Sequence, residues 1–262
     1  MLVFSAFTPH PPIIIPTIGR EHLAKIPQTA AAMHKLEQEL YAAKPEVIII
    51  ISPHGYLLPD AFTINLAEEF KADFEQFGDF TTKLSFKGNL HFFNSEDREK
   101  IQKTSPLAII TESKLDHGAT IPLYQLTAHL KNFSVIPIGY NSSDYRHHLD
   151  FGIALKEVIV NSPTRVALIA SGDLSHCLTP EAPGGFNPQG KVFDDKLVEL
   201  LTTHDLNGLF ALDQTLIEAA QECGFRSLMI LLGVIKNINF QPEVLAYENP
   251  FGVGYLTAQF KL

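Results

Sequence analysis

The chain of 262 residues carries 20 lysines and arginines against 29 aspartates and glutamates, so its formal net charge is −9. This acidic balance disfavours nucleic acid and anionic membranes as partners, because nothing offsets the repulsion by their phosphate groups. Apolar residues make up 45% of the chain and charged residues 19%, which excludes intrinsic disorder and predicts a buried core.

Short apolar runs rich in β-branched residues predict the buried strands of a parallel sheet. In chain order they are Leu2–Phe7, Val47–Ser52, Leu107–Thr111, Ser134–Ile138 and Arg165–Ala170. Segments with helical periodicity alternate with them, namely Gln28–Ala43, Ile121–Leu130, His148–Ile159, Lys191–Thr202 and Leu216–Ile235. This alternation predicts an α/β fold, a three-layer αβα sandwich around a mainly parallel or mixed central sheet.

The segment Phe62–Phe93 has a different pattern from the rest of the chain. It contains three short β-like runs, Phe62–Leu66, Phe80–Leu84 and Leu90–Phe93, which are separated by glycines. We interpret it as a small β-rich insertion on the main sheet. Because the sequence has no internal repeat, low-complexity tract or long linker, we expect residues 1–262 to form a single domain.

Several features favour a soluble cytoplasmic protein. The N-terminus lacks a basic region and its apolar run ends in prolines, so it does not resemble a signal peptide. The longest apolar runs are far shorter than the ~20 residues that a membrane span needs. The two cysteines, Cys177 and Cys223, cannot build a disulfide scaffold and favour a reducing compartment.

Histidines follow three of the predicted strands, at the point where each strand ends. They are His10, His54 and His176, and His117 precedes a predicted helix. In open α/β sheets ligands bind in the crevice at the carboxyl ends of the strands, so the first three should converge. Prolines beside His10 and His54 would hold these side chains in fixed positions.

Two neutral imidazoles from separate loops can bind Zn, Fe, Cu or Ni. With one carboxylate they would form the facial triad that leaves positions on Fe(II) open for substrate and dioxygen. The spacing of the residues does not identify which carboxylate this would be. Glu218 and Glu222 share one face of a predicted helix, and Asp173 stands three residues before His176.

Four motifs in chain order carry a family resemblance: Thr8-Pro-His10-Pro-Pro, Ser52-Pro-His54-Gly, Asp116-His117-Gly118 and Ser171-Gly-Asp-Leu-Ser-His176. Together with Gln221–Phe225, they resemble the class III extradiol ring-cleavage dioxygenases, the type that includes the β-subunit of protocatechuate 4,5-dioxygenase. The resemblance implies an oxidoreductase of aromatic catabolism with non-haem Fe(II). Such an enzyme would cleave the ring of a small catechol-like aromatic with O2. Relatives of this kind often form dimers or heteromers, so the resemblance is compatible with a homo-oligomer, although the sequence carries no interface signal.

Carried over residue by residue, the resemblance also implies roles within the site. His10 and His54 would bind the iron, and Glu222 would be the third ligand with Glu218 as the reserve. His176 would accept and return a proton at the substrate hydroxyls. His117 would lie near the site where dioxygen binds.

The sequence is also similar to the Memo-like branch, whose members share the fold but carry a cysteine near the position of the carboxylate ligand. Cys223 directly follows Glu222, and the segment Tyr247–Tyr255 resembles the same branch. This second resemblance implies a metal-binding or redox protein without ring-cleavage activity. A thiolate ligand would favour copper or zinc over iron.

Overall fold

The computed structural model describes residues 1–262 and contains one eight-stranded mixed sheet. In chain order its strands are β1 (Leu2–Thr8), β2 (Val47–Ser52), β3 (Phe62–Asn65), β6 (Leu107–Ile110), β7 (Ser134–Gly139), β8 (Val166–Ser171), β9 (Gln241–Glu248) and β10 (Tyr255–Lys261). Two further strands, β4 (Glu69–Phe74) and β5 (Asp79–Lys87), form a separate hairpin. Across the sheet the strand order is β6-β3-β7-β2-β8-β1-β10-β9. Neighbours among β1, β8, β2 and β7 pair in parallel, whereas β10 is antiparallel to β1 and β9.

Helices cover both faces of the sheet. They are α1 (Pro16–Gly19), α2 (Pro27–Ala43), α3 (Ser95–Gln102), α4 (His117–Leu126), α5 (Tyr145–Asn161), α6 (Pro188–Thr202), α7 (Leu206–Phe210), α8 (Gln214–Ala220) and α9 (Phe225–Ile235). None of these helices is both long enough and apolar enough to cross a membrane.

Strand β2 shows how the two faces are packed. All of its residues are buried. Ile49 and Ile51 belong to the core formed with α5, α6 and α9, whereas Ile48 and Ile50 belong to the core formed with α2 and α4. Because successive side chains of a strand point to opposite faces, β2 contributes to both cores. The predicted three-layer α/β sandwich is therefore confirmed.

The central segment differs from its prediction in two respects. Strand β3 is part of the main sheet, paired with β6 and β7, so the insertion consists of the β4–β5 hairpin only. The run Leu90–Phe93, which we expected to be a strand, forms bends instead. Strand β4 was not predicted, although Phe70, Ala72 and Phe74 alternate with more exposed residues as a half-buried strand requires.

One predicted helix is in fact two. The segment Leu216–Ile235 is interrupted at residues 221–224, where Gln221 takes a left-handed conformation with φ of 54° and ends α8. Helix α9 then begins at Phe225. Periodicity did not reveal the break because both helices bury apolar side chains on either side of it. The break puts Cys223 in a loop at the edge of the sheet.

Candidate metal centre

The site lies where the parallel strands end. His10 follows β1 and His54 follows β2, and β8 ends directly before Gly172. These three strands are neighbours and run in parallel, so their carboxyl ends share one edge of the sheet. His117 begins α4 beside them, and Cys223 arrives from the loop between α8 and α9.

Three ligand atoms from His10, His54 and Cys223 lie within 4.8 Å of one another. The Nε2 atoms of the two histidines are 3.2 Å apart, and His10 Nε2 is 3.8 Å from the Cys223 Sγ. Around a tetrahedral ion with ordinary bond lengths, two nitrogens would lie roughly 3.3 Å apart and nitrogen and sulphur roughly 3.6 Å apart. The spacing therefore fits a bound transition-metal ion.

The hydrogen bonds around Ser171 determine which nitrogen of His10 is free. The Ser171 hydroxyl donates its single proton to the Gly118 carbonyl oxygen at 2.6 Å. Its oxygen also lies 3.0 Å from His10 Nδ1, so in that contact it must accept. His10 consequently carries its proton on Nδ1 and turns the lone pair of Nε2 toward His54 and Cys223. Burial lowers the pKa of His10 well below its ordinary value, which keeps the imidazole neutral.

His54 stacks on His117, with ring centroids 4.3 Å apart and planes inclined by 20°. Asp116 holds this region together as the N-cap of α4, because its carboxylate accepts hydrogen bonds from the Ala119 backbone N–H and the Ser52 hydroxyl. Burial lowers the pKa values of His54 and His117, so both rings are neutral near pH 7. A neutral His54 can act as a metal ligand, and a neutral His117 can donate or accept one hydrogen bond.

Asp173 connects the ends of β1 and β8 to the cysteine loop. Its carboxylate accepts a hydrogen bond from the His10 backbone N–H at 2.9 Å, and its own N–H donates to the Cys223 Sγ at 3.2 Å. Its second oxygen is 3.7 Å from His10 Nε2, yet it does not join the three mutually close ligand atoms. Burial raises the pKa of Asp173 to about 6 and raises that of the Cys223 thiol.

Two glycines allow the backbones of these loops to touch. A Cβ atom added to Gly172 would lie 2.0 Å from the Gly224 Cα, and one added to Gly224 would lie 3.0 Å from the Gly172 carbonyl carbon. The atoms nearest to a Cβ on Gly172 are all backbone atoms, so a side chain there could be accommodated only by moving one of the loops, whereas a Cβ on Gly224 would also lie 2.6 Å from the Phe7 ring. The close approach sets the position of Cys223 relative to Asp173.

Substitution of Gly172 by alanine should therefore lower the free energy of unfolding by about 3 kcal/mol, the upper part of the usual range for overpacking. It should also weaken metal binding, because the loop that carries Cys223 must shift. Chemical denaturation and a metal titration measure the two effects. The control is Gly185→Ala, where an added Cβ meets nothing within 4 Å. There the free energy of unfolding should fall only because an alanine must adopt a positive φ of 72°. Equal effects of the two substitutions would contradict the packing argument.

The two glutamates considered as ligands lie outside the group of three. The Glu222 carboxylate turns toward α9 and accepts a hydrogen bond from the Phe225 backbone N–H. Burial raises the pKa of Glu222 to about 7, and the Phe225 N–H and the nearby Arg226 oppose this shift. Glu218 is exposed on α8 and accepts a hydrogen bond from Gln214. That Glu222 binds metal thus remains a prediction without a supporting contact.

His176 lies close enough to the centre for its charge to contribute to lowering the pKa values of both His10 and Asp173. Its backbone is fixed by its N–H, which donates to the Ala220 carbonyl oxygen, and by its own carbonyl oxygen, which accepts from the Gly184 N–H. Its Nδ1 atom is buried and has no hydrogen-bond partner. The side chain therefore has a buried polar atom that no other protein group uses.

A buried carboxylate that was not predicted from the sequence holds the loop that carries His176. Asp194 of α6 accepts hydrogen bonds from the Ser175 backbone N–H at 2.9 Å and from the Tyr247 hydroxyl at 2.6 Å. Burial raises the pKa of Asp194 to about 6. An aspartate within a regular amphipathic helix gives little signal in the sequence, because most such residues face solvent.

The raised pKa of Asp194 predicts a pH-dependent contribution to stability. The folded chain binds this proton more tightly than the unfolded chain, so stability is lost as pH rises from about 4 through about 6. Asp194→Asn removes this loss. The free energy of unfolding of the variant should therefore rise by about 3 kcal/mol relative to that of the parent between pH 4 and pH 7. Denaturation curves measured across this pH range test the prediction. The control is Asp195→Asn, which alters an exposed residue paired with Lys191. A parent–variant difference that does not change with pH would contradict it.

The centre opens onto a cleft of about 830 Å³ beside His54 and His117. Tyr56 and Leu57 form part of its apolar wall, and Lys114 lines it together with Asp73, with which it forms an ion pair at 3.6 Å. This volume is in the range of sites for small organic ligands. A small aromatic molecule can thus reach the exposed side of the ligand group.

Comparisons with known proteins find a family model, several relatives and a solved structure that are similar to this chain. Residues 5–258 match the LigB family model, described as the catalytic LigB subunit of aromatic ring-opening dioxygenase. Protein CA_C1420 of Clostridium acetobutylicum is 30% identical over 256 residues, which cover 94% of this chain and 55% of that protein. The 2,3-dihydroxyphenylpropionate/2,3-dihydroxicinnamic acid 1,2-dioxygenase of Azotobacter vinelandii is 29% identical over 162 residues, which cover 58% of this chain and 50% of that protein.

A MEMO1 family protein of Methanosarcina mazei is 24% identical over 138 residues, which cover 52% of this chain and 48% of that protein. The chain thus spans about half the length of the curated relatives it matches. Among solved structures, the uncharacterized protein JW3007 from Escherichia coli K12 superposes with a TM-score of 0.66 at 15% identity, covering 98% of this chain and 99% of that chain. This last similarity shows a shared fold.

Proposed function

Since the chain belongs to the LigB family of aromatic ring-opening dioxygenase catalytic subunits, we propose that it is a metal-dependent dioxygenase that cleaves the ring of a catechol-like aromatic with O2. The observation that carries the proposal is the convergence of His10 Nε2, His54 Nε2 and Cys223 Sγ beside an open cleft. We assign the metal to these three residues, with Fe(II) as the expected ion. The relative from Azotobacter vinelandii, named for a dihydroxylated aromatic acid, supports this substrate class.

Bound Fe(II) would supply Lewis acidity and redox chemistry toward the aromatic diol and dioxygen. The chain's own residues have other tasks. His176 is proposed to take a proton from a substrate hydroxyl and to return it later, as a histidine near the ligand group can. His117, stacked on His54 and held by α4, is proposed to offer a hydrogen bond on the cleft side of the centre.

A second function is favoured by the thiol among the three ligand atoms. A thiolate is a soft ligand that suits copper or zinc better than a carboxylate does. The relative from Methanosarcina mazei belongs to the MEMO1 family. The second proposal is a metal-binding or redox protein that cleaves no aromatic ring.

The two functions are separated by loading the chain with Fe(II), Zn(II) or copper under anaerobic conditions and offering a series of catechols. For a dioxygenase we expect uptake of one O2 per aromatic molecule with Fe(II), and both atoms of ¹⁸O2 in the product. Stoichiometric copper binding with no oxygen uptake would support the second proposal. Release of hydrogen peroxide without a ring-opened product would contradict the first.

A further inference from the structure

Arg226 is a half-buried cation without an acidic partner. It lies at the second position of α9, three residues after Cys223. Its guanidinium carbon is 4.8 Å from the centroid of the Tyr145 ring and 6.0 Å from that of Tyr140. It belongs to none of the ion pairs of the molecule, and its Nε atom is buried without a hydrogen-bond partner. In a chain of net charge −9, an unpaired arginine in this position requires an explanation.

Arg226 faces a small cavity of about 260 Å³ whose walls carry both polar and apolar residues. Asn141 and Ser142 line it together with Arg226 and Tyr140. The Oδ1 atom of Asn141 already accepts from the Ser143 N–H and hydroxyl, so Asn141 can offer a ligand only its amide N–H groups. The Tyr140 hydroxyl donates to the Cys223 carbonyl oxygen at 3.1 Å, which connects the cavity wall to the ligand loop.

The cavity adjoins the cleft beside the metal centre. Leu57 lines both this cavity and the larger cleft beside His54 and His117. Leu57 stands between the two, so a short substituent on a molecule in the cleft would have to pass this side chain to approach Arg226. A planar guanidinium with free N–H groups matches a carboxylate in both charge and geometry.

We propose that Arg226, with Asn141, binds a carboxylate on the substrate, so that the substrate is an aromatic acid rather than a neutral catechol. This proposal rests on the proposed ring-cleavage function. The competing role for Arg226 is to offset the charge of the buried Glu222, whose pKa it helps to lower. No hydrogen bond or ion pair joins the two side chains, since the Glu222 carboxylate accepts from the Phe225 N–H instead.

The experiment compares 3-phenylpropionate with its amide, 3-phenylpropanamide, as ligands of the full chain. Neither has the hydroxyls needed for ring cleavage, so calorimetric binding reports on Arg226 whether or not the protein is a dioxygenase. We expect the parent to prefer the acid, and Arg226→Gln to weaken acid binding by about 10- to 100-fold without affecting the amide. Arg226→Lys retains the positive charge but not the planar guanidinium, so it should weaken acid binding less than Arg226→Gln does.

The control variant is Arg146→Gln, which removes an exposed arginine from α5 and should leave both affinities unchanged. A parent that binds acid and amide equally, or an Arg226→Gln variant that weakens both equally, would overturn the proposal. Glu222→Gln should leave acid binding unchanged or strengthen it. Turnover of dihydroxylated acids and amides by the Fe(II)-loaded chain then tests the proposed function separately. If the chain does not turn these compounds over, the preference of the parent for the acid over the amide still stands as evidence for the role of Arg226.

Discussion

Replacement of His54 by alanine should lower metal affinity by more than about 100-fold, because the loss of a residue that merely orients a metal ligand already costs about 10- to 100-fold. His54 supplies one of the three converging atoms, so the two remaining ligands would hold an ion only weakly. One side of the His54 ring packs on His117 while much of the residue is open to solvent, so its removal should leave the melting temperature of the metal-free chain nearly unchanged. The test therefore separates metal binding from folding.

The measurement is a competition titration with a chelator of known affinity, accompanied by elemental analysis of the purified protein. His34→Ala is the matched control, because His34 is an exposed histidine on α2, outside the three-residue group. The parent and His34→Ala should retain about one ion per chain and gain stability on metal addition. Undiminished affinity in His54→Ala would contradict the assignment of the site.

The second large effect concerns the neighbours Glu222 and Cys223. Cys223→Ser should lower metal affinity by more than about 100-fold, since it removes the sulphur that lies 3.8 Å from His10 Nε2. Glu222→Gln should change the affinity by only a few-fold, because the Glu222 carboxylate is engaged with the Phe225 N–H. The glutamine oxygen can accept the same hydrogen bond, so this variant should also fold.

Cobalt(II) offers a direct readout of this difference. The cobalt-loaded parent and Glu222→Gln should show a sulphur-to-metal charge-transfer band, and Cys223→Ser should lack it. The opposite pattern, with metal lost in Glu222→Gln and retained in Cys223→Ser, would support the carboxylate triad implied by the resemblance to the extradiol dioxygenases. The loop would then have to rearrange when the metal binds.

The sequence was sufficient to predict the framework of the site. The run Val47–Ser52 is apolar throughout and ends at a serine and a proline, and its bounds match strand β2. The positions of His10 and His54 after parallel strands predicted that they would lie together, and the structure brings them together. Their role as metal ligands stays a prediction until it is tested.

The third ligand could not be identified from the pattern. Glu222 and Cys223 are adjacent, so the choice between them depends on the backbone path of the break between α8 and α9. That path is determined by a left-handed residue at Gln221 and by the contact between Gly172 and Gly224. The contact joins segments about 50 residues apart, and no local periodicity encodes it.

The position of β1 in the middle of the sheet has a consequence for folding kinetics. This strand pairs with β8 and β10, and His10 and Cys223 are 213 residues apart in the chain. Contacts between such distant segments form slowly, because a long loop must close before they can stabilise the structure. We therefore expect the ligand group to assemble late, after most of the sheet has formed. Bound metal is consequently expected to act mainly on the unfolding rate of the native chain, with little effect on the rate of folding.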